Sequence, residues 1–330
     1  MRLQCVLFVS WDAHGEEVFY IRFTKSRSQT LPLGGTVKLY PANMKNNDQR
    51  RLVTMKKIIS MALTLTLVMG ILTGCGSKEE PSAADALSGT VNLDGSTSME
   101  KVVAILIESF NEINPDVAVS YNGSGSGAGI TAAVDGTADL GLSSRELKDE
   151  EKAKGAAAHV IALDGVAVVV NPENVVEDLT TEQIAEIFSG KITNWAELGG
   201  ADGPIAVLGR EPGSGTRGAF EEIIGVEDAC AYSAEYSSTG DVIGQVSTNP
   251  NAIGYASLSS VSEDVKAVKV DGVACSEETV KDGSFPIQRP FLMVTKEGSE
   301  LSAAAQAFLD YAKSSEVAEL IAMAGAVSPN

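Results

Sequence analysis

Histidine is almost missing from this chain: His14 and His159 are its two histidines, and they lie far apart. That scarcity argues against a histidine-based catalytic or metal site. Cysteine is scarce as well. Cys5, Cys75, Cys230 and Cys275 form no Cys-x-x-Cys or Cys/His spacing, which disfavours zinc. Positive charge is outnumbered, with 25 Lys and Arg against 44 Asp and Glu, and the formal net of −19 argues against nucleic acid as a partner. Aromatic residues are few. A composition of 5% aromatic and 44% hydrophobic residues fits a soluble globular protein rich in Ala, Val and Gly, and 330 residues leave room for two domains.

One apolar run, near the N-terminus, is long enough to raise the question of a membrane span. Met55-Lys56-Lys57 opens an apolar stretch that ends in Leu72-Thr73-Gly74-Cys75. The run is only about 16 residues, short of the roughly 20 that span a bilayer, so it reads as a secretory signal (residues 55–74) rather than a membrane helix. Its ending resembles the lipobox of bacterial lipoproteins, which makes Cys75 the expected lipidation site and first mature residue. Residues 1–54 precede that signal, and they read as polar, mixed and without clear periodicity. They are expected to be a spurious upstream extension of the reading frame, a translated cytoplasmic extension being the alternative. Residues 75–87 are small and polar and read as a flexible tether. Ten basic and four acidic residues lie before Cys75, leaving 15 basic against 40 acidic, a net of −25. Outside the membrane, Cys230 and Cys275 are open to either a disulfide or two buried thiols.

From Thr90 onward, strand patterns alternate with helical ones, so the fold class is α/β with parallel or mixed sheets. Three stretches share one construction, a strand followed by a hydroxyl-rich loop and a helix start. The first is Thr90 to Leu93, then Ser96-Thr97-Ser98, then an apolar helical face from Val102 to Ile113. The second is Val117 to Tyr121, then Asn122 to Gly129 with Ser126. The third is Ile205 to Leu208, then Arg210-Glu211-Pro212-Gly213-Ser214-Gly215-Thr216, then a helix through Phe220. Further strands are expected at 138–142, 159–163, 165–170, 265–270 and 289–295, and helices at 180–188, 242–246 and 301–323. Ordinary N-capping explains any one such loop. Together they place helix N-termini, hydroxyls and one guanidinium at strand carboxyl ends, where open α/β sheets bind ligands.

A compact oxyanion suits such a cage. The acidic surface does not forbid it. A charge of −25 about 20 Å away gives roughly 5 kcal/mol of unscreened repulsion, which salt reduces to a few tenths. Each charge-assisted hydrogen bond contributes roughly 1.5–3 kcal/mol in the other direction. Enzyme readings find less support. Arg210 to Thr216 lacks the Gly-Lys-Ser/Thr ending of a P-loop, and Gly123 to Gly127 is not a Gly-x-Ser-x-Gly elbow and has no nearby His. Nothing singles out a carboxylate pair for glycoside hydrolysis.

The chain resembles the substrate-binding lipoproteins of phosphate ABC transporters from about Gly89 to its end. The resemblance rests on Asp94-Gly95-Ser96-Thr97-Ser98, Tyr121 to Gly127, Ile187-Phe188-Ser189-Gly190-Lys191-Ile192-Thr193-Asn194-Trp195 and Arg210 to Thr216. It implies a two-lobed periplasmic-binding-protein-like (type II) fold with a hinge. Lobe I is then 88–166 plus 289–330, and lobe II is 167–288. It implies no catalysis, no cofactor, an extracytoplasmic protein held to the cell membrane by its lipid, and membrane permease subunits as partners. The ligand implied is inorganic phosphate, bound by Ser96, Thr97, Ser98, Ser126, Arg210, Ser214, Gly215 and Thr216. Family members carry an Asp at the position of Ser144, where it accepts the proton of monohydrogen phosphate and rejects sulfate. Here Ser144 can accept a proton but offers no fixed charge, and the neighbouring Arg145 becomes a candidate additional ligand. A second familiar Asp, two positions after the Arg, is Pro212 here. The alternatives are a binder of sulfate or molybdate, or a surface phosphatase.

Overall fold

The structure, a computed structural model, describes residues 3–11, 17–25 and 87–329. The expected signal segment, Cys75 and nearly all of the tether lie outside the described residues. The chain divides into two units, Met1–Pro81 and Ser82–Asn330. In the first, β1 (Leu3–Trp11) and β2 (Glu17–Lys25) pair antiparallel in register from Leu3↔Lys25 to Trp11↔Glu17. The sequence reading expected no elements here. Both nine-residue runs are nonetheless rich in β-branched and aromatic residues, and a Gly-containing connection separates them.

The second unit begins with β3 (Gly89–Gly95), α1 (Glu100–Ile113), β4 (Val117–Asn122), α2 (Ser126–Asp135), β5 (Leu140–Ser143) and α3 (Asp149–Ala153). The long β6 (Ala156–Val170) follows, then β7 (Asp178–Leu179), α4 (Thr181–Phe188), β8 (Ala206–Arg210), α5 (Gly215–Ile224) and β9 (Ala234–Tyr236). Next come α6 (Thr239–Thr248), β10 (Ala252–Ser257), β11 (Lys266–Ala267), β12 (Lys269–Val270) and α7 (Glu277–Lys281). The end of the chain supplies β13 (Gln288–Lys296), α8 (Ala303–Lys313) and α9 (Ala318–Met323).

A nine-stranded sheet runs β4-β3-β5-β13-β6-β10-β8-β9, with β11 paired to β6. At one end β3 is parallel to β4 and β5, and at the other β8 is parallel to β9 and β10. Between these parallel groups, β13 and β6 run antiparallel to each other and to their neighbours. Each group is one lobe of the expected two-lobed fold, and β6 and β13 are shared by both.

Each lobe has its own core. In the first, α1 turns Val102, Val103, Leu106 and Phe110 onto Val91, Leu93, Leu140 and Leu142, and Phe110 meets Phe308 edge-on at 5.1 Å. In the second, Phe188, Phe220 and Tyr255 pack together, the last two stacked at 4.2 Å. Burying each of these side chains contributes roughly 1.5–3 kcal/mol.

The apolar run of β6 is covered on both faces, which explains its lack of alternation. Val166, Val168 and Val170 belong to the Phe188 cluster, whereas Ala167 and Val169 face Leu208, Val242 and Val246. The two strands expected around residue 164 are one. Gly165 does not break it: an added Cβ there would lie 2.6 Å from Cys275 Sγ and 2.8 Å from Val280, so the glycine admits close packing. The strand expected over 265–270 is instead split, β11 joining β6 and β12 joining β7. Cys230 and Cys275 are both free thiols, which settles that alternative. Burial pushes the Cys230 thiol up to about 11.

Candidate functional site

The first-lobe contribution begins where β3 ends. A short turn over Thr97–Met99 carries the chain into α1, and the Tyr121 hydroxyl donates to the Ser96 carbonyl at 2.8 Å. Ser96 Oγ donates to Ser144 Oγ at 2.8 Å, just beyond β5. Ser126, the first residue of α2, lies 3.3 Å from Ser144 Oγ and accepts from the Ser144 backbone N–H at 3.1 Å. Three strand ends thus bring Ser96, Ser126 and Ser144 into one buried cluster.

The second lobe supplies β8 and the N-terminus of α5. Ser214 caps that helix by accepting from Arg217 N at 3.3 Å, so its hydroxyl already has a structural task. Gly213 sits at φ +92°, and its carbonyl accepts from Gly127 N at 3.0 Å across the lobes. Gly215 is packed against the serine cluster. An added Cβ would overlap Ser126 Oγ and come within 2.8 Å of Ser144 Oγ, so only glycine fits.

The two lobes also meet hydroxyl to hydroxyl. Ser98 Oγ lies 2.5 Å from Thr216 Oγ1 and 3.0 Å from Thr239 Oγ1, and Thr97 Oγ1 lies 3.4 Å from Thr239 Oγ1. Thr239 opens α6 and was not among the expected site residues. Its signal was present in Ser237-Ser238-Thr239-Gly240-Asp241, a further hydroxyl loop between a strand and a helix.

Arg210 ends β8 inside this cluster. Its Nη1 donates to Thr239 Oγ1 at 2.9 Å, Nη2 to the Ser237 carbonyl at 2.7 Å and Nε to the Tyr236 carbonyl at 3.1 Å. Its backbone is fixed too. Arg210 N donates to Tyr255 Oη at 3.1 Å, and Arg217 Nη1 donates to the Arg210 carbonyl at 2.8 Å. Arg217 is in turn held by Glu221 at 2.8 Å and Glu235 at 2.7 Å. Arg210 is only 2% exposed, and among the described residues no carboxylate forms an ion pair with it. Burial pushes its pKa down, but a guanidinium stays charged. A buried charge without a counter-charge costs several kcal/mol, which an anion at the same place offsets.

Arg145 takes a different course from the one expected. Its Nη1 and Nη2 grip both oxygens of Glu151 at 2.8 and 2.7 Å, and Nη1 also donates to the Glu146 carbonyl. The guanidinium is committed to α3 and does not join the hydroxyl cluster. Burial alone would raise the Glu151 pKa, but the hydrogen bonds from Arg145 and the Lys148 N–H hold the carboxyl below its ordinary range. Among the described residues, no group of three or more His, Cys, Asp or Glu side chains is arranged to hold a metal.

The family described as PBP superfamily domain matches residues 80–316. The phosphate-binding protein PstS of Bacillus subtilis is 33% identical over 278 residues, covering 80% of this chain and 91% of that protein. The chain belongs to the PstS-type phosphate-binding proteins. A crystal structure from Clostridium perfringens, described as a phosphate ABC transporter substrate-binding protein with bound phosphate, has 43% identity. It covers 73% of this chain and all of its own, with a TM-score of 0.71. An ABC-type phosphate transport receptor from Vibrio cholerae shares 33% identity over 72% of this chain and all of its own, with a TM-score of 0.61. The two-lobed type II fold is that of this family. Within it, Arg210 is linked to the first lobe through Thr239, whose hydroxyl also meets those of Ser98 and Thr97.

Proposed function

We propose that this chain captures inorganic phosphate between its lobes and hands it to the membrane permease of an ABC transporter. The observation that carries this reading is Arg210, buried without a carboxylate partner among the described residues and bonded to Thr239, whose hydroxyl also meets Ser98 of the other lobe. Ser96, Thr97, Ser98, Ser126, Ser144, Gly215, Thr216 and Thr239 replace the hydration shell of the ion, and Ser214 orders the α5 N-terminus that faces it. The lobes, 88–166 with 289–330 and 167–288, close over the ligand by rotation about the shared strands. The protein acts outside the cytoplasm and is anchored to the cell membrane by acylation of Cys75. It binds and releases phosphate without turning it over.

Calorimetric titration with phosphate, sulfate and molybdate between pH 6 and 8 tests the ligand. Phosphate should bind most tightly. Preference for another anion, or no binding, contradicts the reading. The site hydroxyls make no hydrogen bond to a carboxylate among the described residues, so sulfate is rejected only through differences in hydrogen bonding. Discrimination should therefore be modest. Absence of turnover of a chromogenic phosphate ester checks the non-enzymatic part.

A further inference from the structure

Strands β6 and β13 face each other at Asp164 and Arg289. Pairing changes hands here. Residues 292–294 of β13 pair with β5 in the first lobe, and residues 166–170 of β6 pair with β10 in the second. Both charged side chains are buried, with Arg289 Nε and Nη2 donating to Asp164 Oδ2 at 3.0 and 2.9 Å. Ser257 of β10 donates to Asp164 Oδ1 at 2.7 Å, and the Ser259 backbone N–H donates to the same carboxylate. Ser259 Oγ then donates to the Ser98 carbonyl at 3.3 Å. Ser98 is the residue whose hydroxyl meets Thr216 and Thr239. A continuous polar chain therefore runs from the crossing of the lobes to the centre of the anion cage.

Stability alone does not explain this pair. Desolvation offsets much of the attraction in a buried ion pair, and apolar residues of similar volume often serve a fold equally well. Arg289 Nη1, moreover, is buried with no hydrogen-bond partner, so the pair is not fully satisfied where it stands. What it does provide is direction. A guanidinium and a carboxylate gripping across two strands fix the angle of the crossing, and the serine relay carries that angle to Ser98.

We infer that Asp164 and Arg289 are positioning residues for the anion site, holding the lobe crossing at the angle that brings Ser98 to Thr216 and Thr239. This inference rests on the phosphate reading above. The test uses the full chain, with inorganic phosphate as the probe and stopped-flow kinetics as the readout. The double variant Asp164→Leu/Arg289→Met should keep or raise the melting temperature without phosphate. Its phosphate dissociation rate should rise roughly tenfold while association changes by less than about twofold. Ser259→Ala cuts only the last link, and should speed dissociation several-fold at an unchanged melting temperature. If the double variant does not fold, Ser259→Ala decides alone. A parent chain that binds phosphate while the folded variants keep its dissociation rate overturns the positioning role only. A parent chain that binds no phosphate overturns the functional reading, and the positioning role with it.

Discussion

Arg210 holds a buried guanidinium beside the hydroxyl cluster, and its substitution isolates the charge from the cage around it. Arg210→Met should weaken phosphate binding by roughly tenfold or more, the loss expected for charge-assisted hydrogen bonds worth about 1.5–3 kcal/mol. Titration calorimetry measures this directly. Arg145 gives the opposite expectation, because its guanidinium is spent on Glu151. Arg145→Ala should leave phosphate affinity unchanged and lower the melting temperature. The partner carries a pH signature as well. The Glu151 carboxyl is held below the ordinary glutamate range, so its contribution is fully present above that range and is lost as pH falls through the lower folded value. Denaturation of Glu151→Gln and the parent should therefore differ at pH 7 and converge in acid. At this scale the sequence shows the loops that carry Ser98, Ser126, Arg210 and Thr216, because each joins a strand to a helix in plain view. It misled at Arg145 because adjacency to Ser144 says nothing about where a long side chain reaches. Glu151, six residues on and at the start of α3, was the stronger partner.

At the scale of elements, the site depends on how rigidly α5 and β8 are held. Phe220 of α5 stacks on Tyr255 of β10, and the Tyr255 hydroxyl accepts from Arg210 N. Phe220→Ala should cost about 3–5 kcal/mol in urea unfolding, since it leaves a cavity under the helix that presents Gly215 and Thr216. A change below about 1 kcal/mol would show that the α5 platform is held by something else. Hydrophobic periodicity located α1, α4 and α5 well because each has one buried face. The same reasoning split β6 in two at Asp164, and it gave no sign that Gly165 is a packing contact with Cys275 and Val280. Such a contact joins residues more than a hundred positions apart. Local pattern carries no trace of it, and it carries none of the different partners that separate β11 from β12.

For the whole molecule, the sequence indicated α/β layering but not the sheet order. Placing β13 between β5 and β6 depends on pairing a strand near the end of the chain with two from its middle, and nothing local records that. The order matters to function because it makes β6 and β13 the connection between the lobes. Donors from both lobes close on one point, so ligand binding and stability are linked. Phosphate at a hundred times its dissociation constant should raise unfolding stability by about 2.7 kcal/mol. Thermal or chemical denaturation with and without phosphate checks this.

A crystal structure of the chain with phosphate decides the matter most directly. The ion should lie within hydrogen-bond distance of Arg210, Thr216 and Ser126, with the Ser98 and Thr239 hydroxyls turned from each other toward its oxygens. Phosphate bound elsewhere on the chain, with Arg210 making no contact to it, would contradict the proposed site.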